Sequence, residues 1–148
     1  MKKLLATPND GVLTLMRLAL GVVFFAHGSQ KMLGWFGGYG FTGTMGFFTS
    51  MMHIPAPFAF LAICAEFFGS IGLILGLLTR IAAFGISINM LVAICTVHIR
   101  NGFFANWSGK QGGEGVEYHL LALALLIALM IRGGGAFSAD GAIAGKAA

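Results

Sequence analysis

Few side chains in this sequence can do chemistry, and most of those sit inside apolar runs. His27, Lys31, Glu66, Asn89, His98 and Glu117 lie within or at the edge of stretches dominated by Leu, Ile, Phe, Ala and Gly. A charged group in such surroundings costs roughly 3 kcal/mol or more unless it faces protein or water, so it either pairs or lines a site. An acid, an imidazole and an amide at one depth can bind a polar headgroup and move protons. A quinone headgroup or a small oxidisable molecule fits such a pocket. The plainer reading is that Glu66 pairs with His27 or Lys31 and only neutralises charge.

Other chemical signals are weaker. No His-x-x-x-His or Cys-x-x-Cys spacing is present, so no metal-ligand set is assigned. A bis-His haem between His27 and His98 is the remaining alternative. Cys64 and Cys95 fall at similar depth, as a thiol–disulfide pair would, but neither lies on a polar stripe. Small buried hydrophobes is the better reading of both. The Gly112–Gly115 run, GGEG, lacks the Lys-Ser/Thr tail of a phosphate loop. Gly72 and Gly76 make a small-x-x-x-small pair suited to helix packing.

The elements that must position these residues are read from composition. The chain has 148 residues, 57% of them apolar and 9% charged, with a mean hydropathy of +0.88. Soluble domains carry about 25% charged residues. A water-soluble enzyme is thereby excluded, and so is disorder. The pI of 9.4 points to membrane flanks, with no nucleic-acid partner. The prediction is an all-α membrane protein: a single domain, residues 1–148, built as a four-transmembrane-helix bundle. The spans are about 12–33, 58–79, 81–99 and 113–131. Met1–Ala26 lacks a cleavage site after its apolar run and is read as a retained first span, not a signal peptide. Spans two and three are joined by Thr79–Arg80, a tight hairpin. Between spans one and two, Phe41–Met52 is apolar but too short to cross, which predicts an interfacial or re-entrant segment or an ordinary loop. Lys2, Lys3, Arg80, Arg132 and Lys146 fall on the N-terminal side, against Lys31, Arg100 and Lys110 on the other. That bias predicts cytoplasmic N- and C-termini.

Helical spacing gives each span one stripe of polar or small residues. Span one carries Arg17, Gly21, Phe24, Gly28 and Lys31, with His27 on its edge. Span two carries Glu66, Gly69, Ser70 and Leu73. Span three aligns Gly85 with Asn89, Ala93 and Thr96, and span four aligns Glu117 with Leu121. At a rise of about 1.5 Å per residue, His27 lies roughly 9 Å, Glu66 12 Å, Asn89 15 Å and Glu117 6 Å below the outer end. These residues, with Lys31 and His98, converge in the outer half. His98 falls about 180° from Asn89 near the outer interface, which leaves it open to water or to the pocket, and His119 about 200° from Glu117, so both cannot point straight inward. Arg17 reads as an interface snorkel or helix-pairing partner.

The segments RLALGVVFFAHGSQKMLGWFGG from Arg17, AEFFGSIGLILGLLTRIAA from Ala65, NMLVAICTVHIRNGFF from Asn89 and GVEYHLLALALLIALMIRGGG from Gly115 together resemble the DoxX family of small bacterial inner-membrane proteins. The resemblance covers roughly residues 12–140, although this chain has Gly133-Gly134-Gly135 where the family often has Gly-Pro-Gly. It implies a four-helix protein of the bacterial inner membrane. Some relatives are subunits of a thiosulfate:quinone oxidoreductase, others belong to membrane redox and detoxification systems, and most have no assigned activity. By motif it singles out Arg17, His27, Gly28, Lys31, Glu66, Arg80, His98, Glu117 and Tyr118, with Arg17 and Arg80 taken as structural or interface residues. The functional expectation is a membrane redox-system subunit or accessory protein. Its outer-half pocket would take quinone or a small sulfur or organic substrate. Glu66 and His27 would handle protons, and Lys31 and Glu117 would shape the entrance. The alternative is a non-enzymatic small-molecule carrier, or a membrane scaffold for a soluble oxidoreductase. Expected partners are the lipid membrane, such an oxidoreductase or substrate, and further copies of the chain in a homo-oligomer.

Overall fold

The computed structural model describes residues 2–146, with the backbone alone for Lys2 and Lys146. It is all helical. A short α1 (Lys2–Leu5) precedes α2 (Gly11–Met32), then α3 (Gly40–Gly46), α4 (Ala56–Leu75), α5 (Thr79–Ala93), α6 (Glu117–Arg132) and α7 (Ala139–Lys146). Three helical stretches are long and apolar enough to cross a membrane: Gly11–Met32, Ala56–Leu75 and Thr79–Asn101. The last of these runs beyond α5 through a π turn, Ile94–His98, and a 3-10 turn, Ile99–Asn101.

Each boundary has a local cause. The Asp10 carboxylate accepts from Val12 N and Leu13 N at 2.8 and 3.3 Å, satisfying donors left free at the start of α2. Pro55 and Pro57 open α4. Gly76, at φ +66°, closes it in the left-handed region, and Leu77 N donates to Gly72 O at 2.9 Å. The α4–α5 connection is therefore Gly76–Leu78, and Thr79–Arg80 open α5 instead of forming the hairpin. α5 has no local cap. Asp140, far along the chain, supplies one: its carboxylate accepts from Leu78 N at 2.7 Å and Thr79 N at 2.8 Å. α6 starts at Glu117, four residues later than the fourth span was expected to begin, and has 16 residues. The 41–52 segment is helical, as α3 followed by a π turn over Phe47–Met51.

α2 packs along α4, α4 along α5, α5 along α6, and α6 returns to α2. Leu13, Leu20, Phe24, Leu73, Ile86, Leu126 and Leu129 fill the space between them. Large apolar side chains such as Leu15, Val22, Phe68 and Leu121 point outward and stay exposed. The closest helix contact is α2 on α4, and its glycines are Gly21 and Gly28, not the expected Gly72–Gly76 pair. A Cβ on Gly28 would meet Phe67 Cα at 2.7 Å, and one on Gly21 would meet Ile74 Cγ1 at 2.7 Å. Gly76 is engaged instead as a helix stop.

Arg17 is 1% exposed. Its guanidinium donates to Leu73 O and Ile74 O at 2.7 and 2.6 Å, to Gly134 O at 2.9 Å and to Phe137 O at 3.3 Å. It is a buried helix tie, not a snorkelling side chain. Arg80 does the same nearer the surface, donating to Met130 O and Ile131 O at the end of α6 and to Ala6 O.

Two substitutions test this packing. Gly28→Ala should lower thermal stability, by about 1–3 kcal/mol, because backbone must move to admit the methyl; Gly11→Ala, where a Cβ meets nothing within 4 Å, should not. Asp140→Ala should cost about 1–2 kcal/mol through the lost cap of α5, read by the same melting curves.

Candidate functional site

Opposite the Gly76–Leu78 turn the helices separate around a cavity of about 1190 Å³. Its polar lining includes His27, Lys31, Glu66, Asn89, His98 and His119. Phe47, Phe48, Met52, Phe58, Phe84 and Ile88 supply much of its apolar wall. The 41–55 segment and the 102–116 loop close over this end.

Lys31 and Glu66 form the strongest polar contact, Nζ to Oε1 at 2.6 Å. Of the two pairings open to Glu66 in the sequence, the geometry has the one with Lys31. Glu66 is buried and its second oxygen, Oε2, lies 3.5 Å from Asn89 Nδ2. That amide donates more closely to Ala62 O, at 2.7 Å, fastening α5 to α4. A buried carboxylate needs such partners to offset its desolvation. Gly28 makes the approach of Lys31 feasible, since it lets α2 lie against the α4 backbone at Phe67, next to Glu66.

The second polar group is aromatic. His27 faces Tyr118 with ring centroids 6.4 Å apart, Tyr118 lies 5.4 Å from His119, and His119 lies 4.0 Å from His98. Nδ1 of His119 is buried with no hydrogen-bond partner among the described residues. His98 Nδ1 is 2.8 Å from Glu114 O. Of the two directions open to His98 in the sequence, water or pocket, the structure has it lining the cavity, at the end of a π turn. A π turn rotates less per residue than an α-helix, so five such residues swing His98 from the side opposite Asn89 round to the cavity.

The cavity thus gathers His27, Lys31, Glu66, Asn89 and His98, but not Glu117. Glu117 stands in the first turn of α6, where its Oε2 accepts from Ala105 N at 2.8 Å and pins the 102–116 loop. His119 takes the inward position instead. The 200° offset kept both from facing straight in, and the start of α6 decides which one does. His53, at φ +55° beside Pro55, also reaches the cavity. Cys64 is half-buried and Cys95 exposed, both as free thiols.

The DoxX family model matches residues 12–99. "Putative oxidoreductase CatD" of Bacillus subtilis (strain 168) is 32% identical over 92 residues, which are 62% of this chain and 63% of that protein. The chain thus spans less than two thirds of the curated relative that it matches. No solved structure matches. The matched region carries Arg17, His27, Lys31, Glu66, Arg80, Asn89 and His98. With that match and with helices apolar and long enough to cross a bilayer, the chain is a membrane protein belonging to the DoxX family.

Proposed function

We propose that this chain is a subunit or accessory of a membrane redox system, and that its cavity binds the ring of a quinone or a similar small oxidisable molecule. One observation carries the reading: a large, mainly apolar cavity whose polar groups are concentrated in the Lys31–Glu66–Asn89 cluster and the His98–His119 pair. Ligand sites have this composition, an apolar wall for the bulk of the ligand and a few placed polar groups for its orientation. The relative named as an oxidoreductase favours redox use. In this reading α6 is the fourth span, the 41–52 segment lies at the interface or re-enters, and both termini face the cytoplasm of the inner membrane.

A carrier would need a polar path onward from the cavity, and the packing argues against one. Leu73, Leu126 and Leu129 fill the core beyond it, and the hydroxyls of Ser70 and Ser87 donate to carbonyls of their own helices.

Three expected outcomes follow. Native mass spectrometry of the detergent-purified chain should find bound quinone; none, together with no binding of added short-chain quinone, would sink the reading. Glu66→Gln should weaken binding at least about tenfold, since it removes the charged acceptor opposite Lys31. For topology, a chain with Cys64 and Cys95 replaced by Ala should react with an impermeant maleimide outside intact cells at Lys110→Cys, and not at Ala144→Cys.

A further inference from the structure

The Glu114 carbonyl decides which nitrogen of His98 carries hydrogen. A carbonyl oxygen only accepts, so Nδ1, 2.8 Å away, is the donor. In the neutral ring Nε2 then presents a bare lone pair. Among the described residues His98 makes no other hydrogen bond, and its ring lines the cavity.

The carbonyl that orients the ring is itself held. Glu114 O also accepts from Asn101 Nδ2 at 3.1 Å, and the Glu114 carboxylate accepts from Asn106 N at 2.6 Å. His98 is delivered to this spot by the π turn, a local irregularity often found at functional sites. Glu66 offers less as an acceptor. One oxygen is taken by Lys31, and the other already faces the Asn89 amide.

We propose that Nε2 of His98 is the cavity's hydrogen-bond acceptor, with Glu114 as its positioning residue. The site therefore favours the hydroxyl-bearing, reduced form of a ring ligand over the carbonyl-bearing oxidised form. This rests on the reading of the cavity as a quinone-type site. A hydroquinone hydroxyl donates to Nε2, whereas a quinone carbonyl would set one lone pair against another.

The test uses the full chain in lipid nanodiscs at mildly alkaline pH, titrated without oxygen with a short-chain benzoquinone and, separately, with its hydroquinone. The unsubstituted chain should bind the hydroquinone more tightly. His98→Phe should weaken hydroquinone binding about five- to tenfold, the worth of one hydrogen bond, and so erase the preference between the two forms. A thermal melt close to that of the unsubstituted chain certifies that the variant has folded. An unchanged preference in His98→Phe, or equal affinity for both forms in the unsubstituted chain, overturns the assignment while the quinone-type reading stands. Binding of neither form overturns that reading, and this one with it. A second measurement needs no variant. In protein labelled with ¹⁵N-histidine, His98 should show a protonated Nδ1 and an unprotonated Nε2 whose signal moves with hydroquinone and not with quinone. A protonated Nε2 in the free neutral ring overturns the proposal.

Discussion

A guanidinium buried among carbonyls holds one end of this molecule together. Arg17 belongs to α2, yet its donors reach the last turn of α4 and the Gly134–Phe137 strap that follows α6. A cation removed from water needs every donor met, and carbonyls at a helix C-terminus suit it because the helix dipole places partial negative charge there. The strap in turn brings Asp140 to the uncapped start of α5. Two charged side chains thereby tie α2, α4, α5 and the C-terminal segment into one unit. Gly134 and Gly135 are part of that tie, since side chains there would collide with Thr79 and with the Asp10–Thr14 turn.

The other end is built on the opposite plan. Lys31 and Glu66 also neutralise each other, but they do so at the edge of an open volume, and Lys31 keeps part of its side chain exposed. Aromatic rings and imidazoles face the gap where Leu fills the core below. The same helices are thus dense and dry at one end and hollow at the other. Such asymmetry suits a protein that receives a ligand from one side and holds it.

Much of this was legible in the sequence, and the failures have physical causes. The apolar runs gave the long helices, because hydrophobic periodicity over twenty residues leaves little choice. The convergence of Lys31, Glu66 and Asn89 followed from counting 1.5 Å per residue along regular helix. That count broke where the helix did. His98 lies at the end of a π turn, which no spacing rule announces, so the sequence left its direction open. Glu117 was expected in the early turns of a fourth span and instead opens α6, so it serves the loop while His119 serves the cavity. Asp140 carries no signal in the sequence, because a cap delivered across 61 residues leaves no local motif. The glycines misled in a similar way. Gly72 and Gly76 have the spacing of a packing face, but Gly76 ends a helix, and it is Gly21 and Gly28 that allow close approach.

That close approach has a mechanical consequence. With α2 and α4 in backbone contact at Gly28 and Phe67, this seam behaves as a fixed fulcrum one turn from the ion pair. It cannot open without separating Lys31 from Glu66, so the cavity has no freedom to widen there. The α3–π-turn segment packs on the same two helices, and the 102–116 loop supplies Ala105, Asn106, Trp107 and Glu114 to the cavity wall. The seam acts as a rigid wall of that space. Whatever entered would have to fit that wall as it stands.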